Sequence, residues 1–262
     1  ILTGSNRNCA GGKTPWNTWL SCEEDGNNGR VFECDPFGIN PAVEVPLLGR
    51  FNHEAVAVDD GLHHLYLTED SGSGLLYRFV PDSYPDLTAG ILEAAEVIDN
   101  GDGTSNLVWH TVADPSAATA STRSQVPAAT TFNGGEGIIY RDGYIYFTTK
   151  GDDRVWSLET TTQVLSVIYD DGFFANPILT GVDGIAAAPN GDLFVAEDPG
   201  NMQVVALNKA GEASPIVQLF GHIASEVTGI AFSPDGTRMY FSSQRGPVGN
   251  IISGGVTYEV TG

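Results

Sequence analysis

A short pattern that recurs along the chain constrains its fold more than any other feature of the sequence. Each copy has an apolar strand, a turn containing Asp-Gly or Asn-Gly, and an aromatic-rich strand that ends in polar residues. Asp-Gly and Asn-Gly favour tight hairpins because these residues tolerate positive φ. The pattern therefore predicts a repeated β-hairpin. The four clear copies read HEAVAVDDGLHHLYLTED from His53, GEGIIYRDGYIYFTTK from Gly135, VDGIAAAPNGDLFVAED from Val182 and VTGIAFSPDGTRMYFSSQ from Val227.

A weaker fifth copy lies near the N-terminus, where Asn8 aligns with the start of the first strand and TPWNTWLSCEE resembles the second strand. Successive copies are separated by 45 to 47 residues, except for one interval of 82. A unit of this length is typical of a four-stranded propeller blade. We therefore predict an all-β fold, a single β-propeller domain over residues 1–262, with five four-stranded antiparallel blades and six as the alternative. We expect the C-terminal strand GGVTYEV to share a blade with the N-terminus.

The long interval contains an insertion at about 83–134, which we expect to be mainly a long loop. Its first part, LEAAEVIDNGDGTSNLVWHTV, predicts outer strands and a turn. Its second part, PSAATASTRSQVPAATTFNGG, is rich in Ser, Thr and Ala and indicates a loop.

Acidic residues are frequent at equivalent positions of the repeat, which in a propeller lie on rings around the central channel. Crowded carboxylates repel one another, and bound cations relieve that repulsion. Carboxylate oxygens suit calcium, whereas a thiolate among them points to a softer transition metal. Alternatively, the acids cap turns and Cys22 is a buried core residue or half of a disulfide. The three predicted rings are Asn8, Glu54, Glu136, Asp183 and Thr228; Cys22, Glu69, Thr149, Glu197 and Ser243; and Glu23, Asp70, Lys150, Asp198 and Gln244.

The charge balance restricts the partners of the chain. Twelve basic residues stand against 33 acidic ones, which gives a net charge of -21. Such a surface repels nucleic acids and anionic membranes, so we expect neither as a partner. The sequence has no apolar run long enough for a membrane-spanning helix. It has three cysteines, so at least one thiol stays outside any intrachain disulfide.

Several motifs resemble those of the PhoX-type alkaline phosphatases. They are NCAGGKTPWNTWLSCEE, GRFNHEAVAVD, LYLTED, GGEGI and EVTGIAFSPDGTRMYFSSQRG, which follow one another in order from about Asn8 to Gly246. The resemblance implies a periplasmic or extracellular hydrolase of phosphate monoesters, with a propeller fold and a cluster of ferric iron and calcium. It implies that Cys22 binds iron, that Glu54 and Glu136 are shared metal ligands, and that Glu23 and Asp198 bind calcium. Asp183 and Glu197, from the rings, are further candidate ligands.

Two positions depart from the pattern of that family. Gly134 stands where relatives carry a basic residue, and Gln244-Arg245-Gly246 replaces a Gln-His-Pro-Gly sequence. We therefore expect Asn8, with Lys150 or Arg245, to hold the phosphate of a small-molecule substrate in a monomeric enzyme. The alternatives are a calcium-dependent propeller lactonase or esterase, in which Cys22 has no role, and a non-catalytic binding propeller whose metals are structural.

Overall fold

Residues 1–261, which the computed structural model describes, contain twenty strands in four sheets. The strand pairs whose register is defined are antiparallel, as in the hairpin from His53 to Glu69 and the hairpin from Val182 to Glu197. The predicted all-β class is therefore confirmed. No helix among these residues is long and apolar enough to cross a membrane.

The chain divides into two compact units. Unit 1 comprises Ile1–Phe147 and Ser157–Ser166, and unit 2 comprises Thr148–Trp156 and the chain from Val167 onward. The prediction of one propeller domain over residues 1–262 stays a prediction, and its last residue lies outside the described residues.

Unit 1 begins with a four-stranded sheet in which neighbours along the chain are neighbours in space. This order places β1 at one edge and β4 at the other. The strands are β1 (Asn8–Lys13), β2 (Trp19–Glu23), β3 (Val31–Cys34) and β4 (Val43–Glu44).

A nine-stranded sheet follows, in the order β10-β11-β12-β13-β9-β8-β7-β6-β5. The strands and turn predicted for the first part of the insertion are confirmed, because β8 and β9 form a long hairpin that extends the sheet. The insertion is therefore only partly a loop, and residues 112–134 contain the short 3-10 helix Thr122–Gln125. Strands β11, β12 and β13 run across the boundary between the units. The strands are β5 (His53–Asp59), β6 (His64–Glu69), β7 (Leu76–Ser83), β8 (Asp86–Asp99), β9 (Thr104–Thr111), β10 (Gly135–Arg141), β11 (Tyr144–Thr149), β12 (Arg154–Glu159) and β13 (Val164–Asp170).

Unit 2 contains the two remaining sheets. The C-terminal strand β20 pairs with β19 over six positions, so the expectation that it shares a blade with the N-terminus is wrong. The count of five blades stays a prediction. One sheet has β14 (Val182–Ala187), β15 (Leu193–Glu197), β16 (Gln203–Leu207) and β17 (Ala213–Gln218), and the other has β18 (Val227–Phe232), β19 (Arg238–Ser243) and β20 (Val256–Thr261).

The same irregularity interrupts the inner hairpin of four repeats. Three residues of the first strand match two of the second, which is the signature of a β-bulge. Because of these pairings, Cys9, and not Asn8, is in register with Glu54 and Asp183. The alignment of the first copy predicted from the sequence is therefore one residue out of register. The directly paired residues are Asn8 with Glu23, His53 with Glu69, Val182 with Glu197, and Val227 with Ser243.

Candidate functional site

Strand β1 packs closely on β5 because Gly12 leaves room for it: a Cβ atom at Gly12 would lie 1.9 Å from the carbonyl oxygen of Val56 on β5. Gly11 makes a similar close approach to β2, where a Cβ atom would lie 2.0 Å from the carbonyl oxygen of Leu20, and its φ of +152° favours glycine. The Gly-Gly pair therefore lets β1 lie against both β2 and β5.

This approach brings a thiol and two carboxylates together in unit 1. The ligand atoms of Cys9, Glu24 and Glu54 all lie within 4.8 Å of one another. Cys9 is exposed, Glu24 is half-buried and Glu54 is buried on β5. One sulfur and two oxygens at this separation fit a metal ion that accepts both soft and hard donors.

One charged side chain flanks this group. The Arg7 guanidinium lies 3.1 Å from Glu24 Oε1 and is 64% exposed. Arg7 has φ +48°, which is uncommon outside glycine and often marks a functional position. The candidate site therefore has a solvent-accessible cation beside it. The amide of the predicted residue Asn8, which precedes Cys9, donates to Ser21 Oγ at 2.9 Å.

The predicted ligands Cys22 and Glu23 are not part of the group formed by Cys9, Glu24 and Glu54. Cys22 is fully buried in the apolar core beside Leu20 and Val31. Burial raises the pKa of its thiol well above the usual value, and the charge of Glu54 raises it further. The geometric cluster includes neither Cys22 nor Glu23, so their ligand roles stay predictions.

Glu23 is occupied by hydrogen bonds. Arg30 Nε donates to its Oε2 at 2.8 Å, and the Asn6 backbone N–H donates to Oε1 at 2.7 Å. Burial acts to raise the pKa of Glu23, but these bonds outweigh it and the pKa is lowered. Glu23 therefore ties the N-terminal segment and the turn after β2 to the hairpin.

Glu69 has the same function in the next repeat. Its buried carboxylate accepts from Arg123 Nε at 2.9 Å, Tyr77 Oη at 3.0 Å and the Leu75 backbone N–H at 3.1 Å. Burial raises the pKa of Glu69, and Arg123 opposes the rise. Glu69 thus anchors the 3-10 helix of the insertion.

Glu197 is the equivalent residue in unit 2. Its Oε1 accepts from the Thr180 backbone N–H at 3.1 Å, and its Oε2 accepts from those of Asn201 and Gln203 at 3.0 and 2.8 Å. Burial raises the pKa of this carboxyl, and the backbone hydrogen bonds oppose the rise. Both oxygens are therefore used locally, although the predicted metal role of Glu197 is not tested by these bonds.

The predicted ligand Glu136 lies in unit 1, on β10. Its side chain is buried, and its backbone carbonyl accepts from Thr68 Oγ1 on β6 at 2.5 Å. This bond helps to hold β10 against the hairpin that carries Glu54. The ligand role of Glu136 stays a prediction.

A second group of charges lies within unit 2. Lys150 Nζ lies 3.2 Å from Asp183 Oδ2 and 3.1 Å from Asp198 Oδ2. Arg245 pairs with Glu226 at 3.2 Å. Burial, together with the charges of Asp198 and Asp183, raises the pKa of Glu226 to about 7. The predicted residues Lys150, Asp183, Asp198 and Arg245 thus form ion pairs here.

Comparison with known proteins assigns the chain to a family. The family model described as alkaline phosphatase PhoX matches residues 1–30 and 25–168. The chain belongs to the PhoX family. No curated protein matches the sequence.

Solved structures show that the PhoX fold extends over most of the chain. The structure of Pseudomonas fluorescens PhoX in complex with vanadate, a transition-state analogue, superposes with a TM-score of 0.76 at 21% identity, over 92% of this chain and 65% of that one. A streptogramin B lyase superposes with a TM-score of 0.54 at 14% identity, over 100% of this chain and 70% of that one. A nidogen–laminin complex superposes with a TM-score of 0.51 at 14% identity, over 87% of this chain and 67% of that one. At these identities the similarity shows a propeller-like fold alone. The chain spans about two thirds of the PhoX structure.

Sequence reasoning did not select Arg7, Cys9 or Glu24, although each lies next to a residue that it selected, in Arg7-Asn8-Cys9 and Cys22-Glu23-Glu24. The spacing of the copies is compatible with this alignment, because the shift along the sequence that aligns Cys9 with Asp183 also aligns Glu24 with Asp198.

Proposed function

We propose that this PhoX family member is a metal-dependent phosphomonoesterase whose metal centre includes Cys9, Glu24 and Glu54. The observation that carries the proposal is the convergence of these three ligand atoms within 4.8 Å. Their donor set combines a thiolate, which suits a transition metal such as iron, with carboxylates, which suit calcium. Membership of the alkaline phosphatase family supplies the reaction class.

A metal held there would supply positive charge to neutralise the phosphoryl oxygens as charge develops in the transition state. Glu54 is buried and would form the inner wall of the centre. Glu136, on the neighbouring β10, is proposed as a further ligand. Cys9 and Glu24 would face the side that the substrate reaches, because both are less buried.

Arg7 and Asn8 are proposed to bind the non-bridging oxygens of the phosphate. The Arg7 guanidinium can exchange its contact with Glu24 for a phosphate oxygen, since its side chain is largely exposed. A planar guanidinium binds phosphate in a bidentate manner, which fixes the orientation of the ester. The Asn8 amide is an additional donor next to it. The sequence predicts Lys150 or Arg245 for phosphate binding, and that role stays a prediction.

We also propose that the chain forms one five-bladed propeller domain and acts as a monomer on a small-molecule phosphate ester, in the periplasm or outside the cell. The vanadate in the Pseudomonas structure supports a phosphate-like substrate for that protein.

The test is to purify the chain, measure its iron and calcium by elemental analysis, and assay a chromogenic aryl phosphomonoester. We expect turnover that a chelator abolishes and that Cys9→Ser reduces by at least about 100-fold. Metal-replete protein without turnover on any phosphoester would refute the proposal. Hydrolysis of lactones instead, unaffected by Cys9→Ser, would favour a calcium lactonase.

A further inference from the structure

The charged group in unit 2 joins five side chains from separate segments. Its three carboxylates and two cations are 12% to 33% exposed, so water screens them incompletely. The members are Lys150 after β11, Asp183 on β14, Asp198 after β15, Glu226 before β18 and Arg245 after β19.

Lys150 occupies the position between two of the carboxylates. Its ammonium lies 3.2 Å from Asp183 Oδ2 and 3.1 Å from Asp198 Oδ2, which are within the range of N–H···O hydrogen bonds. Two carboxylates that share one cation are relieved of their mutual repulsion. We propose that Lys150 replaces a metal ion between Asp183 and Asp198, so that this cluster binds no metal.

While Lys150 engages Asp183 and Asp198, the surrounding acids do not complete a coordination shell for a divalent cation. Calcium takes six to eight oxygen ligands at about 2.3–2.6 Å. Glu197, the residue before Asp198, uses both oxygens for three backbone N–H groups. Glu226 is paired with Arg245. A divalent ion would also lie beside the ammonium, which repels it.

The Lys150 ammonium also holds separate segments of the chain together, as a bound metal ion can. It connects the 3-10 helix Lys150–Asp152 to the start of β14 and to the end of β15. Thr148 Oγ1, two residues earlier, donates to the backbone carbonyl of Asp183 at the same place. Lys150 is therefore a positioning residue that fixes strand ends without any dependence on metal supply.

The first test measures metal content, not activity, and holds whether or not the chain hydrolyses phosphoesters. Full-length wild type and Asp183→Asn are loaded with iron and calcium, desalted and analysed for both elements. We expect equal metal content in the two proteins. Loss of about one equivalent of metal from Asp183→Asn would show that Asp183 is a ligand and would overturn the inference.

The second test removes the ammonium. Lys150→Met leaves the carboxylates without their cation, so we expect calcium to raise its melting temperature by several degrees more than it raises that of the wild type. Lys150→Arg keeps the charge and serves as the control, with the same calcium response as the wild type. If calcium does not stabilise Lys150→Met beyond the control, the ammonium does not stand in for a metal ion and the inference fails.

Discussion

Replacing Cys9 and Cys22 one at a time separates a metal ligand from a core residue. Cys9 is exposed, so Cys9→Ser should change the stability of the metal-free protein by no more than about 0.5 kcal/mol. At a metal concentration 100 times Kd, binding stabilises the wild type by about 2.7 kcal/mol. A 100-fold loss of affinity in Cys9→Ser reduces this increment to about 0.4 kcal/mol.

Cys22→Ala should show the opposite behaviour. Cys22 is fully buried among apolar side chains, so removing its sulfur leaves a small cavity and costs about 1 kcal/mol in the metal-free protein. The group at Cys9, Glu24 and Glu54 does not include Cys22. The metal increment of about 2.7 kcal/mol should therefore survive in this variant.

The assay is urea denaturation of the three proteins, each with chelator and with saturating metal. The quantity compared is the difference in unfolding free energy between the two conditions. If Cys22→Ala loses that difference and Cys9→Ser keeps it, the choice of Cys9 from its register with Glu54 is refuted. Cys22, the ligand predicted from the sequence, then binds the metal.

Three further predictions concern charged side chains. The pKa of Glu226 is raised to about 7. The protonated side chain therefore contributes up to about 3 kcal/mol to stability, a contribution that is complete below about pH 4.5 and is lost as the pH rises through 7. Denaturation with chelator from pH 4.5 to 8 should show this loss in the wild type and not in Glu226→Gln. Arg7→Gln should raise KM for an aryl phosphate about 10-fold or more without changing metal content, and Arg7→Lys should recover part of the loss. Glu69→Gln leaves Arg123 without its buried partner and should cost about 2–4 kcal/mol in denaturation, whereas the exposed Glu212→Gln should cost less than about 0.5.

The hairpins could be predicted from the sequence because their turns are encoded locally. Asp142-Gly143 lies between β10 and β11, and both residues adopt the positive φ that the dipeptide favours. The insertion was harder to predict. The Asn-Gly-Asp-Gly turn indicated a reversal, yet only tertiary pairing shows that β8 and β9 continue a sheet, because strand stability depends on the neighbours that a strand meets.

The candidate site could be predicted to within one residue, and the alignment of the first copy accounts for the remaining error. The β-bulge does not distinguish the copies, because the same extra residue interrupts the first strand of all four hairpins. The first copy carries Asn8-Cys9 where others carry His53-Glu54, so residue types alone did not fix the alignment. From residue type alone, Asn8 and Cys9 are equally acceptable partners for Glu54 in the alignment of the repeats.

Adjacent acidic residues at the strand ends have two different roles. Successive residues of a strand point to opposite faces, so one acid of a pair turns towards the local loops and the next turns away. Glu23 and Glu197 are buried and accept hydrogen bonds from loop N–H groups or an arginine, whereas Glu24 lies beside Cys9 and Glu54 in unit 1, and Asp198 contacts the Lys150 ammonium in unit 2. A buried carboxylate saturated by local donors cannot also bind a metal without losing those bonds. In these two pairs one acid therefore stabilises the fold, while the ligand roles predicted for Glu23 and Glu197 stay predictions.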